Sequence, residues 1–148
     1  MKTNIHYSDF DEIVKRVLAE IEKEERELNE TGSTPVDNSF EITHREFMAK
    51  SYESGNDVYG KVKAHILRKT RLDCLLYHGS IKSTSEATGV SKSTVQRVFD
   101  SYQEDDLMRK YCYGVWALHP KYLRKGSGGK YMALLRIYYS LPRKGERG

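Results

Sequence analysis

The sequence predicts a mainly α-helical α+β protein, on the basis of three stretches. Residues 8–30 carry apolar side chains at helical spacing. Residues 80–103 predict two helices joined by a tight turn that contains Gly89 and ends at the capping residue Ser91. Residues 107–120 are rich in strand-forming side chains and contain Gly114, where the chain can reverse. Together these stretches predict a winged helix-turn-helix with an N-terminal amphipathic helix.

The first element is the long helix over residues 8–30. Ser8 and Asp11 make a start that resembles a capping box, and the acidic first turn suits the positive end of the helix dipole. The apolar stripe consists of Phe10, Ile13, Val14, Val17, Leu18, Ile21 and Leu28. Two interpretations fit this stripe: it packs on its own domain, or it serves as a dimerisation or partner-binding helix.

Turn-forming residues separate this helix from the rest of the chain. Residues 31–39 contain Gly32 and Pro35 and predict a linker, residues 40–52 fit either a strand or a helix, and residues 53–57 are another break. Residues 58–78 then predict one helix or two short ones, ending at Gly79. The basic face of this segment either contacts phosphates or is a solvated surface.

The helix-turn-helix follows. Ile81 to Thr88 predicts a short second helix, in which Lys82 is available for phosphates. Gly89 and Val90 fill the turn, and the third helix runs from Ser91 to about Gln103. Its predicted buried side chains are Val95, Val98, Phe99 and Tyr102. Side chains of the types that contact base edges and phosphates in a DNA major groove are Ser91, Lys92, Ser93, Thr94, Gln96 and Arg97. The alternative is a surface helix of any α-helical domain.

The C-terminal third predicts a wing and one more apolar element. Residues 107–113 and 114–120 predict two strands, with Arg109 and Lys110 placed for DNA backbone or minor-groove contact. Trp116 is expected to pack rather than to stack on bases. After a glycine loop at 127–129, residues 130–141 favour a strand, although the spacing of their apolar side chains also suits a helix.

Charge divides the chain into two unequal parts. Residues 1–60 hold 7 Lys/Arg and 14 Asp/Glu, whereas residues 61–148 hold 18 Lys/Arg and 7 Asp/Glu. The basic part contains the helix-turn-helix, which is typical of a polyanion-binding protein. We therefore expect an acidic helix and linker over residues 1–39, a winged helix DNA-binding domain over residues 40–141 and a basic tail over residues 142–148.

Several other functions find little support. A membrane span and a signal peptide are not expected, so the predicted location is the cytoplasm. Cys74 and Cys112 are predicted to be reduced thiols, with a disulfide left open. The five histidines are scattered without metal-ligand spacing, and the sequence contains neither a phosphate-binding P-loop nor a recognisable nucleophile–base arrangement. We expect no enzymatic activity, no metal and no cofactor.

The block from Glu86 to Tyr139 carries a pattern of residues that is typical of a known family. The matching residues are Ala87, Thr88, Gly89, Ser91, Thr94, Val95, Gly114, Val115, Leu118, Pro120, Leu123, Arg124, Gly126, Lys130, Leu134 and Leu135. With these residues, the block resembles the RepL family of plasmid replication proteins from Gram-positive bacteria and related winged-helix plasmid and phage initiators. The resemblance implies sequence-specific DNA binding at a replication origin and recruitment of host replication enzymes.

The sequence therefore supports three hypotheses. The first is a sequence-specific double-stranded DNA-binding protein that acts in initiation or maintenance of plasmid or phage replication. The second is a winged-helix transcriptional regulator, for example an autorepressor. The third is a protein-interaction module in which the acidic N-terminal helix is the functional part. For the first two, a homodimer through residues 8–30 and host replication or transcription proteins are the expected partners.

Overall fold

The computed structural model describes residues 7–29, 48–49, 52, 57–123 and 129–145. The elements in chain order are α1 (Tyr7–Asn29), α2 (Val58–Lys69), β1 (Leu76–His78), α3 (Ile81–Thr88), α4 (Lys92–Glu104), β2 (Met108–Cys112), β3 (Val115–Leu118), α5 (Pro120–Leu123) and α6 (Gly129–Tyr139). The predicted mainly-α α+β class is confirmed. The predicted linker at 31–39, most of the ambiguous segment 40–52 and of the break at 53–57, most of the glycine loop and the last three residues lie outside the described residues, as does the side chain of Ser8, the predicted cap.

The three strands form one antiparallel sheet in the order β1-β3-β2. Tyr77 of β1 lies opposite Trp116 of β3, and Arg109 of β2 lies opposite Ala117. The β2–β3 pairing is irregular between Lys110 and Cys112. The predicted reversal at Gly114 is confirmed, because this glycine has a φ of +78° that other residues rarely adopt.

One hydrophobic cluster holds the helix-turn-helix against the sheet. The predicted buried face of α4 is confirmed, since its four apolar side chains are at most 3% exposed. They pack with α2, β1 and the turn residue Val90. We call this cluster the helix-turn-helix core; its buried members are Val62, Ile66, Tyr77, Val90, Val95, Val98, Phe99, Tyr102, Met108 and Leu118.

A second cluster joins α1 to the other end of the chain. Ile13 and Val17 of α1 are buried in the same cluster as Ala133, Leu134 and Tyr138 of α6. The Arg136 guanidinium also donates to the Glu24 carboxylate at 2.8 Å. The apolar stripe of α1 therefore packs within its own chain, which is the first of the two predicted interpretations.

Two predicted elements were wrong. The helix over residues 58–78 ends at Lys69, because the backbone of Thr70 is extended and its hydroxyl donates to the Ile66 carbonyl at 2.6 Å. Residues 76–78 instead form β1, a strand that needs β3 as its partner. Residues 130–141 were predicted to favour a strand, with a helix as the alternative, and Gly129–Tyr139 form the helix α6, where Ala133 and Leu134 are buried against α1 and Met132 remains exposed.

The two cysteines are free thiols. Cys74 is buried, and burial raises the pKa of its thiol to about 12. Cys112 is half-buried on β2. In the part of the chain that the structure describes, no helix is long and apolar enough to cross a membrane.

Candidate nucleic-acid interface

The turn between α3 and α4 is built by local hydrogen bonds. Ser80 and Ser83 form a reciprocal capping box at the start of α3, in which each backbone N–H donates to the other hydroxyl. α3 ends at Gly89, whose φ of +74° is left-handed. Ser91 accepts from the Thr94 N–H at 3.4 Å, which confirms the predicted cap of α4. These signals fix the start of α4 relative to α3.

A buried hydrogen bond fixes α3 on the sheet. The hydroxyls of Tyr77 and Thr84 lie 2.6 Å apart, and both side chains are buried. Gly79 allows this arrangement, since a Cβ at that position would lie within 3 Å of the Tyr77 ring. The orientation of the whole helix-turn-helix is therefore set by residues of β1.

The two faces of α4 differ sharply. One face lies in the helix-turn-helix core, while Lys92, Ser93, Gln96 and Arg97 are exposed and Thr94 is half-buried. We call these five residues the α4 surface. They all come from the first two turns of the helix, which is the part that can enter a DNA groove first.

Neighbouring side chains already hold two members of the α4 surface. The Arg97 guanidinium donates to the Tyr59 hydroxyl of α2 at 3.4 Å. The Gln96 amide donates to the Asp100 carboxylate at 3.0 Å, and the Lys144 ammonium donates to the same oxygen at 2.9 Å. The hydrogen bond from Lys144 lowers the pKa of Asp100, and the Lys144 ammonium offsets the negative charge of this carboxylate beside Gln96.

Four of the predicted site residues meet around one recess beside α4. Lys82 of α3, Lys92 and Gln96 of α4 and Lys110 of β2 line a cavity of about 430 Å³. The structure thus brings together residues that are up to 28 positions apart in the sequence. A cluster of lysines supplied by three different elements is a surface suited to phosphate groups.

Arg109, which was predicted to contact DNA, does not line this recess. Its side chain is 8% exposed and forms a bidentate ion pair with Asp106, in which Nε and Nη2 donate to the two carboxylate oxygens at 2.9 and 3.0 Å. The guanidinium also donates to the Leu141 carbonyl at 2.6 Å and lies over the Tyr138 ring. With its donors committed inside the protein, Arg109 connects β2 to the end of α6 instead.

Sequence reasoning did not single out Tyr113 and Gln103, which also line the recess. Tyr113 lies at the β2–β3 turn, is 68% exposed and has the Lys110 ammonium 5.9 Å from the centre of its ring. Gln103 lies at the end of α4. The position of Tyr113 just before the turn glycine was a usable signal, because a residue at the tip of a hairpin is exposed by geometry. Trp116 packs on Phe99, as predicted.

Other chemistry has little support in this part of the chain. Among the described residues, no group of three or more His, Cys, Asp or Glu side chains is placed to hold a metal ion. His119 is buried, and burial lowers its pKa, while its Nε2 lies 2.8 Å from the Tyr139 hydroxyl. This histidine is therefore engaged in packing between α5 and α6.

These observations define a mainly α-helical α+β protein with a helix-turn-helix and a basic surface next to it. The family model of RepL, the Firmicute plasmid replication protein, matches residues 55–146. Since this match covers more than half of the chain, the protein belongs to the RepL family and is a plasmid replication protein. The matched region contains the helix-turn-helix, the sheet and α6, and it leaves α1 outside.

Comparison with curated proteins and comparison with solved structures each gave no match.

Proposed function

We propose that this protein binds double-stranded DNA sequence-specifically at a replication origin, in the initiation or maintenance of plasmid replication. In this proposal residues 40–141 are the winged helix DNA-binding domain and α4 enters the major groove. The observation that carries the proposal is the α4 surface, whose side chains project from a helix that is buried on its opposite face. The lysines of α3, α4 and β2 that stand beside this surface favour a phosphate-bearing ligand over a merely solvated helix.

Each part of the surface has a chemical role in this proposal. Arg97 can donate two hydrogen bonds to a guanine edge, and Gln96 can pair in the same way with an adenine edge. Lys82 and Lys110 flank α4 and would fix its register through phosphates. The excess of basic residues after position 60 supplies the long-range attraction to DNA.

The test is a mobility-shift titration with DNA from around the protein's own coding sequence, at about 150 mM salt and with competitor DNA. We expect a discrete shift, and we expect Arg97→Ala or Gln96→Ala to weaken it by about 1–3 kcal/mol. The matched control is Arg26→Ala, which removes the same charge from an exposed position on α1. A loss equal in Arg26→Ala and Arg97→Ala would mean that only net charge matters.

Footprinting of the shifted complexes on the same DNA separates the alternatives. Protection of a repeated site that supports replication would indicate origin binding, whereas protection over the protein's own promoter would indicate an autorepressor. Binding that disappears with salt or competitor would leave only nonspecific attraction. In that case the acidic helix α1, as a protein-interaction element, becomes the functional part.

Further expectations accompany the proposal. We expect the protein to act without catalysing a reaction, in the cytoplasm where plasmid DNA is replicated, and to recruit host replication proteins. A homodimer through residues 8–30 stays a prediction, because a dimer would read two half-sites. Since α6 covers the apolar stripe of α1, such a dimer would use the exposed acidic face of α1 or separate α1 from α6. Sedimentation of the full chain tests this prediction.

A further inference from the structure

The recess beside α4 has walls that carry positive charge. Lys82, Lys92 and Lys110 line it from three different elements, and its volume is about 430 Å³. Among the described residues that line it there is no aspartate or glutamate. The charge of these walls is complementary to a polyanion and unfavourable for a cation.

The interior of the recess is aromatic and apolar. Trp116 is fixed there, because its indole N–H donates to the Gly79 carbonyl at 3.0 Å and its ring meets Phe99 edge to face at 5.2 Å. Tyr113 stands at the mouth with most of its surface exposed. Phosphate groups would be held by the lysines but would leave this aromatic interior without a partner.

An unpaired nucleotide matches both parts of the recess. In an intact duplex the ring faces of the bases are stacked on one another, so the duplex offers this recess base edges, sugars and phosphates but no ring face. An unpaired base has a free ring face for aromatic stacking and free N–H edges for the amide oxygens of Gln96 and Gln103, whose N–H groups donate to Asp100 and to the Phe99 carbonyl. Its flanking phosphates would lie among the lysines.

We propose that this recess binds an unpaired nucleotide of a single DNA strand, with the base against Tyr113 and Trp116 and the phosphates against Lys82, Lys92 and Lys110. The proposal rests on the proposed function, since it places the recess next to a duplex bound by α4. The protein would then contact duplex and opened strand at the same time, at a junction between them.

The test uses Trp116, the only tryptophan of the chain, as an internal reporter. The full-length protein is titrated with a ten-nucleotide thymidine oligomer, with the duplex of the same length and with inorganic polyphosphate, while tryptophan emission is recorded. We expect the single strand to quench the emission, and we expect polyphosphate and duplex to leave it nearly unchanged. Equal quenching by the duplex or by polyphosphate would overturn the proposal, because it would place backbone phosphates in the recess.

Variants separate stacking from charge. We expect Tyr113→Ala to weaken oligomer binding about tenfold and Tyr113→Phe to retain it, because the contribution is ring stacking. Lys110→Ala should reduce the slope of log affinity against log salt by about 0.7, whereas the exposed Lys121→Ala should not. Unchanged oligomer affinity in Tyr113→Ala would contradict the proposal.

Failure of this inference and failure of the proposed function have different signatures. Arg97→Ala should weaken specific duplex binding, as stated above, and leave quenching by the oligomer intact. Quenching without any specific duplex shift would refute the reading of base pairs by α4 and would support nucleotide binding in the recess. A specific duplex shift without quenching by the oligomer would refute nucleotide binding in the recess and leave the proposed function standing.

Discussion

The ion pair between Asp106 and Arg109 is expected to stabilise the fold, and Asp106→Asn is the change that tests it. Asp106 accepts from Arg109 at 2.9 and 3.0 Å and from the Tyr138 hydroxyl at 2.8 Å. The hydrogen bond from Arg109 is the largest cause that lowers the pKa of Asp106, to about 2. The neutral asparagine keeps the shape and tolerates the left-handed backbone at φ +56°, so the charge is the main loss.

The magnitude follows from proton linkage. The difference between an ordinary aspartate pKa near 4 and the folded value corresponds to about 2 kcal/mol of stability at neutral pH. Because the folded pKa is the lower one, this contribution is fully present above about pH 4. It is lost as the pH falls towards about 2, where the folded protein also binds the proton.

The assay is urea unfolding of the wild type, Asp106→Asn and the control Asp105→Asn between pH 7 and pH 2.5. Asp105 is the exposed neighbour and loses the same charge. We expect Asp106→Asn to lower the free energy of unfolding at pH 7 by about 2 kcal/mol and to show a weaker acid dependence than the wild type. A variant that matches Asp105→Asn at pH 7, or that keeps the full acid dependence, would refute this reasoning.

Three further predictions concern the turn, the C-terminal segment and the thiols. Gly89→Ala should lower the free energy of unfolding by about 1–2 kcal/mol, because φ is +74° although the space around it is open; urea unfolding against the wild type checks this. Lys144→Ala should weaken specific DNA binding by less than about fivefold, because it leaves the Asp100 charge uncompensated. We expect the double variant Lys144→Ala/Asp100→Asn to regain the lost affinity. If it does not, the uncompensated charge of Asp100 is not the cause of the weaker binding. Cys112 should react with a thiol reagent in the native state before the buried Cys74, and mass mapping that finds Cys74 modified first would contradict its burial.

The helix-turn-helix was largely predictable from the sequence. Its signals are local: Gly89 ends one helix with a left-handed residue, Ser91 caps the next, and Val95, Val98 and Phe99 recur at helical spacing. The hairpin reversal at Gly114 was predictable for the same reason. Such features depend on the conformational preferences of a few neighbouring residues. In this protein the tertiary packing favours the same conformations.

Other features were decided only by contacts between distant segments. Residues 76–78 form a strand because β3 supplies the partner, and residues 129–139 form a helix that packs on α1 although their aromatic and branched side chains favoured a strand. Arg109 carries the same charge as Lys110, yet the Asp106 carboxylate takes it into the interior while Lys110 faces the recess. The sequence by itself therefore determined the helix-turn-helix and the excess of basic residues around it. The tertiary structure alone decided which basic side chains are free to reach a ligand, because that depends on where carboxylates and carbonyls from distant residues lie.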